Sequence, residues 1–323
     1  MVWVDLVSPT LIQVRCFSDT SLGSVYLGRD IRTGADVALK MGLAPSLPST
    51  LHHEYKVYTS IAGSVGTSTV LWFGREDVYE VIVLEYLGNS IGDLINEEKF
   101  NPKKAFLYAS QMVCSWSLFT VLMNTVSHVQ LSAIESLHTR HFIHRNIKPT
   151  NFMVQADGSP PTVFLIDFGL ARLFRDPATL LHCPYTTGHS VVGTLLFISI
   201  NGQQGFAQSR RDDLESLAYT IIYMACGDLP WSNICACRDY EAVLRKKESI
   251  TTEELCEGLP APFYKFFTHV RSLGFDENPD YRHLHTILSR CSETEFGQPA
   301  EAPPFTVPSP VSVRRTPVLR NRM

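Results

Sequence analysis

His144-Arg145-Asn146-Ile147-Lys148-Pro149-Thr150-Asn151 gathers imidazole, cationic and carboxamide side chains into one short stretch. Asn146 has the shape of an aspartate without its charge, and its amide takes up no proton near neutrality. Further on, the strand-like apolar run Thr162-Val163-Phe164-Leu165-Ile166 ends in Asp167-Phe168-Gly169. A carboxylate at the end of a buried strand offers a hard oxygen ligand of the kind a magnesium ion takes. Upstream, Val37-Ala38-Leu39-Lys40 reads as a strand that closes on a lysine. Singly, such a lysine is usually just solvated. The order and spacing of the set are what raise it above that.

Taken in that order, these elements resemble the protein kinases, whose catalytic loop reads H-R-D-x-x-x-x-N and whose metal-binding Asp stands in D-F-G. The resemblance implies an α+β, two-lobed kinase fold with a small β-rich N-lobe and a larger helical C-lobe. It also implies ATP and Mg2+ as cofactors. Asn151 and Asp167 would be the metal ligands, and Lys40 would neutralise phosphate with Glu54 as its partner. Lys148 would reach the transferring phosphate, and Asn146 stands where the family has its catalytic Asp.

A narrower resemblance is to the casein kinase 1 family. It is carried by Tyr55-Lys56-Val57-Tyr58, by Leu170–Thr179, by Ser199-Ile200-Asn201 in place of A-P-E, and by Gln208–Leu217. Leu229-Pro230-Trp231 and Asn278-Pro279-Asp280-Tyr281 extend it, so that it runs from about residue 12 to about residue 290. By the same resemblance Leu84 is the gatekeeper, Glu85 and Leu87 belong to the hinge, and Val25, Ala38 and Met153 sandwich the adenine. Asp213 would hold the catalytic loop by its backbone. The family's basic cluster for acidic substrates is replaced by Thr186, His189, Leu196 and Asp239, so that preference is not expected here.

Other departures bear on activity. The phosphate loop should be G-x-G-x-x-G, whose bare backbone lets amides approach the phosphates. This chain has Ser18-Asp19-Thr20-Ser21-Leu22-Gly23, in which Gly23 alone survives and Asp19 adds negative charge. Weakened ATP binding is expected, with Lys40, Glu54, Asn151 and Asp167 retained. The expected function is a catalytically impaired kinase domain acting as a pseudokinase or binding module. The alternative is a low-activity serine/threonine kinase that transfers the ATP γ-phosphate to proteins. A third reading, a decaying gene product, draws on the insertion described next.

The kinase resemblance divides the chain into an N-lobe with hinge over 1–88, a C-lobe over 89–291 and a disordered Pro-rich tail over 292–323. Within the C-lobe, Ala105–Met112 and Leu131–His138 read as two halves of one helix. Joined directly, they place Ala109, Met112, Ile134 and Leu137 on one apolar stripe. Val113–Gln130 separates them, and its ends are compatible with intron boundaries, so the segment reads as a short retained intron or, alternatively, as a genuine loop interrupting the helix. The net charge of −4 and a pI near 6.3 give no electrostatic case for nucleic acid or membrane. The uncharged run Ala105–Ile134 is broken by Ser, Asn, Gln and His, against a membrane span. Scattered cysteines without C-x-x-C spacing and no secretory pattern at Met1–Asp5 suggest an intracellular protein, cytoplasmic or nuclear, and a monomer is expected. The sequence names ATP as a partner and no protein substrate.

Overall fold

The computed structural model describes residues 11–20, 23–44, 49–96, 127–155 and 162–293. Its N-lobe is an antiparallel sheet built from β1 (Leu11–Thr20), β2 (Gly23–Asp30), β3 (Asp36–Leu43), β4 (Val70–Glu76) and β5 (Tyr79–Glu85), in the order β1-β2-β3-β5-β4. Helix α1 (Thr50–Ser60) packs beneath it, capped by the Ser49 hydroxyl, which accepts from the His52 amide. The strands are longer than their sequence pattern suggests. β1 runs through Ser18–Thr20 and β2 begins at Gly23, so ladder pairing consumes most of the stretch read as a phosphate-binding turn. Ser21 and Leu22, at its tip, lie outside the described residues.

The two-residue period of a strand decides what β3 and β5 present to each side. Val37, Leu39 and Met41 join Val81 and Val83 in a small outer core with Tyr26 and Trp72. Ile82 and Leu84 of β5 belong instead to the large core shared with the C-lobe, and Ala38 packs against it. Lys40 therefore leaves β3 on the inner face, toward the cleft between the lobes.

The C-lobe is helical. A helix over residues 127–139, here α3, carries Leu131, Ile134 and Leu137 fully into the core. α5 (Arg210–Cys226) is buried along nearly its whole length, and Gly227 ends it in the left-handed conformation at φ 75°. Only glycine adopts that cap without a Cβ penalty. Between α3 and α5 lie the strands β7 (Phe142–Ile143), β8 (Phe152–Gln155), β9 (Thr162–Leu165) and β10 (Arg172–Leu173), and the short helix α4 (Ile200–Gln203). After α5 come α6 (Ser232–Ala236), α7 (Tyr240–Ser249), α8 (Thr252–Leu255), α9 (Ala261–Ser272) and α10 (Tyr281–Glu293). Short β6 (Asn89–Ser90) and α2 (Ile91–Asn96) lead out of the hinge.

The expected break at Leu131 is absent. Residues 127–130, the last four of the predicted insertion, are helical and continuous with 131–139. Ser127 and Gln130 are buried there, and His128 faces His285 of α10 at 3.0 Å between Nδ1 atoms. The front half-helix Ala105–Met112, the remainder of the insertion and nearly all of the tail fall outside the described residues. No helix among the described residues is long and apolar enough to cross a membrane.

Candidate active site

The predicted site residues from Val25 onward all line one cleft of about 560 Å³ between the lobes. Gly23 opens β2, paired with Thr20. Val25 lies opposite Lys40 in the β2–β3 ladder, and Ala38 lies opposite Leu84 in the β3–β5 ladder. These pairings set an apolar roof beside the hinge. Glu85 takes the Thr69 amide on its carboxylate at 2.7 Å, which ties the start of the hinge to the residue just ahead of β4. Leu87 and, from β8, Met153 complete the apolar walls.

The charged centre is tight. Lys40 Nζ donates to Glu54 Oε2 at 2.7 Å and to Asp167 Oδ1 at 2.6 Å. Burial alone would lower the lysine's pKa, but the two carboxylates overcome it and hold the ammonium above its ordinary value. Burial pushes Glu54 up to about 7 against the pull of Lys40. Asp167, less enclosed, is net lowered: burial raises it and the Lys40 charge and hydrogen bond win. Asp167 has φ 66°, a left-handed conformation that costs a non-glycine residue roughly 1–3 kcal/mol. Its amide donates to the Tyr58 hydroxyl, whose ring meets Phe168 edge-on.

The catalytic loop is pinned from below by Asp213. Its carboxylate accepts from the His144 amide at 2.6 Å and the Arg145 amide at 2.8 Å, and it receives His138 Nε2 at 2.9 Å. Burial raises the Asp213 pKa, but the hydrogen bond and charge of His138 lead the opposing effects, and the net is below the usual carboxylate value. Arg145, like Asp167, is held at positive φ, 65°. His144 accepts from the Asn146 amide on Nδ1 and meets the Ile166 carbonyl with Nε2. That pattern requires the neutral ring protonated on Nε2, and burial lowers its pKa accordingly.

Asn146 is buried, and its Oδ1 accepts from the Thr194 hydroxyl at 2.8 Å. Asn151 Nδ2 donates to the Asn146 carbonyl at 2.9 Å. Gly193 lets the chain at Thr194 lie close against the loop. A Cβ there would sit 2.6 Å from the Arg145 carbonyl oxygen, closer than any side chain tolerates. Thr194 escaped the sequence reading, as did Tyr58's contact with Asp167. Only the position of Thr194 just ahead of the Ser199-Ile200-Asn201 triplet marked it.

A family model described as the protein kinase domain matches residues 19–269. The chain belongs to the protein kinases. The cleft of this kinase domain fits the cofactors the family uses. Asp167 and Asn151 offer oxygen donors suited to Mg2+, Lys40 and Lys148 offer cations to phosphate, and Ala38, Leu84, Leu87 and Met153 offer flat apolar walls to a base.

A second pocket lies on the other side of the catalytic loop. Thr186 and His189 hydrogen-bond to each other at 2.7 Å, and Asp239 caps α7 by accepting from the Ala242 amide. Arg145 and Arg172 line the same pocket as Thr186 and His189. Positive charge therefore remains beside the catalytic loop.

Proposed function

We propose that this kinase domain is a casein kinase 1-like member whose phosphoryl transfer is impaired and which works as a pseudokinase or binding module. The observation that carries this is Asn146. The side chain beneath the cleft, where a hydroxyl substrate would lose its proton, is a carboxamide tied to Thr194. A carboxamide orients a hydroxyl and accepts no proton from it. Bound Mg–ATP would supply an electrophilic γ-phosphoryl group, and the protein's part is to position and stabilise. Lys40, Asn151 and Asp167 would hold the nucleotide and its metal, and Lys148 would stabilise charge on phosphate. The altered stretch Ser18–Gly23 favours weaker nucleotide binding.

The narrower family assignment is supported by how its signature segments pack together. Ser199 caps α4 and also donates to Asp212. Arg210 donates to Asn278 and to the Asp276 carbonyl while lying over the Phe174 ring. Each partner in these contacts lies in or beside a segment that carries the resemblance. We place the protein inside the cell, in cytoplasm or nucleus, consistent with its dispersed cysteines, and propose that it is a monomer.

The second reading, a slow serine/threonine kinase, is favoured by the survival of Lys40, Lys148, Asn151 and Asp167 around one cleft. Thermal unfolding with ATP, with and without Mg2+, tests the common part. A Mg2+-dependent rise in Tm is the expected outcome, since a ligand that binds only the folded state stabilises it. No shift at millimolar nucleotide would remove both readings. Phosphate transfer by the unaltered chain then separates them, because the pseudokinase reading requires turnover near background.

A further inference from the structure

Lys247 of α7 is fully buried, and its position is unusual for an ammonium group. Nζ donates to the Ile198 carbonyl at 2.7 Å, the Leu195 carbonyl at 2.9 Å and Gln203 Oε1 at 3.1 Å. An ammonium has three N–H bonds, and here each has an acceptor. The rings of Trp231 and Tyr219 flank it, with centroids 5.4 and 5.5 Å away. Among the described residues no carboxylate comes within ion-pair distance.

Desolvating an ammonium without an ion-pair partner costs the fold several kcal/mol. An apolar side chain of the same length would fill the space without that cost. The gain from the lysine lies in what it fastens. Residues 194–198 form a strip across the front of the catalytic loop. Thr194 at one end reaches Asn146, and its carbonyl accepts from the Phe197 and Ile198 amides at 2.9 Å. Leu196, between the two Lys247 acceptors, is held by the Trp231 indole N–H at 2.8 Å. Gln203, the third acceptor, donates its own amide to the Tyr240 carbonyl at the start of α7.

We propose that Lys247 is a positioning residue of the phosphoryl-transfer site: it holds the 194–198 strip at the height where Thr194 meets Asn146. The proposal rests on the cleft being the kinase site and goes beyond it by naming a control point on the far side of the strip. The three-acceptor geometry requires the charged form, since a neutral amine has two N–H bonds for three acceptors. The ionisable groups facing Nζ are Glu215 and Tyr219 from α5 and Cys235 from α6. Burial lowers the lysine's pKa to about 8 against the opposing pull of Glu215.

Hydrogen exchange of the full chain, compared with Lys247→Met, tests this without reference to turnover. In Lys247→Met the Phe197 and Ile198 amides should exchange about tenfold faster or more, while β3 and α5 keep their protection. In the unaltered chain the same two amides should loosen as pH rises through about 8, after correction for intrinsic exchange, and Lys247→Met should lack that step. Uniform loss of protection across the domain would make Lys247 merely structural and overturn the proposal. So would unchanged exchange at 197 and 198. If Lys247→Met does not fold, the pH step in the unaltered chain decides alone: confined to the strip it upholds the proposal, and absent it overturns it. Loss of Mg–ATP binding would sink the functional reading and leave the exchange result standing.

Discussion

Asn146→Asp is expected to raise phosphate transfer from Mg–ATP to a protein hydroxyl by about 10²–10⁴-fold, the usual contribution of a positioned general base. At ~1.4 kcal/mol per tenfold this is roughly 3–5 kcal/mol of barrier. The site is ready to accept the change. Asp and Asn share a shape, and the Thr194 hydroxyl that now donates to Oδ1 can donate equally to a carboxylate oxygen. The loop around it is fixed by other groups. The Asn146 amide is held by His144, its carbonyl by Asn151, and the two preceding amides by Asp213. Radiolabelled transfer to a generic protein substrate reads the ratio. A ratio near one, with measurable turnover in both chains, would mean that Asn146 is not what limits the reaction. Silence from both would move the blame to the stretch Ser18–Gly23.

Gln130→Met should raise Tm, and so should deletion of Val113–Gln130. Gln130 is completely buried, and among the described residues its Oε1 has no hydrogen-bond partner and its Nε2 meets only the Met224 sulfur at 3.6 Å. A buried carbonyl left unsatisfied costs about 1–3 kcal/mol, and relief of that cost is worth about 2–4 °C for each kcal/mol in a large domain. The deletion should reach the same end by another route. It joins Met112 to Leu131 and sets Met112 at the Gln130 position and Ala109 at the buried Ser127 position. Both exchanges put apolar groups where polar ones are now buried. If the deleted chain melts lower while Gln130→Met melts higher, the insertion is an integral part of the fold. If both melt lower, the buried amide is satisfied in solution and the argument from Oε1 is lost.

What the sequence disclosed follows from how local each feature is. Lys40, Asn151 and Asp167 were legible because each stands in a short contiguous motif whose spacing survives folding. Glu54 needed only its offset from Lys40, and the ion pair between them formed as anticipated. Asp213 was placed as the support of the catalytic loop, and its carboxylate takes the two loop amides. Thr194 and Lys247 were not legible. Their partners lie far off in the chain and their contacts are to backbone carbonyls or a single carboxamide, which leave no pattern in residue type. The start of α3 departs from the sequence pattern for a related reason. Ser127 and Gln130 fall in the stretch expected to interrupt the helix, yet a helix once nucleated propagates through residues of middling propensity.

Asp213 also fixes how much chain a working catalytic loop requires. The family match stops at residue 269, but the carboxylate's third partner, His138, is itself held by the hydroxyl of Tyr281. Arg210 likewise leans on Asp276 and Asn278. A premature stop between residues 269 and 281 would leave every motif of the nucleotide cleft encoded and remove its foundation. Such an allele would be a loss-of-function allele that no scan of catalytic motifs detects.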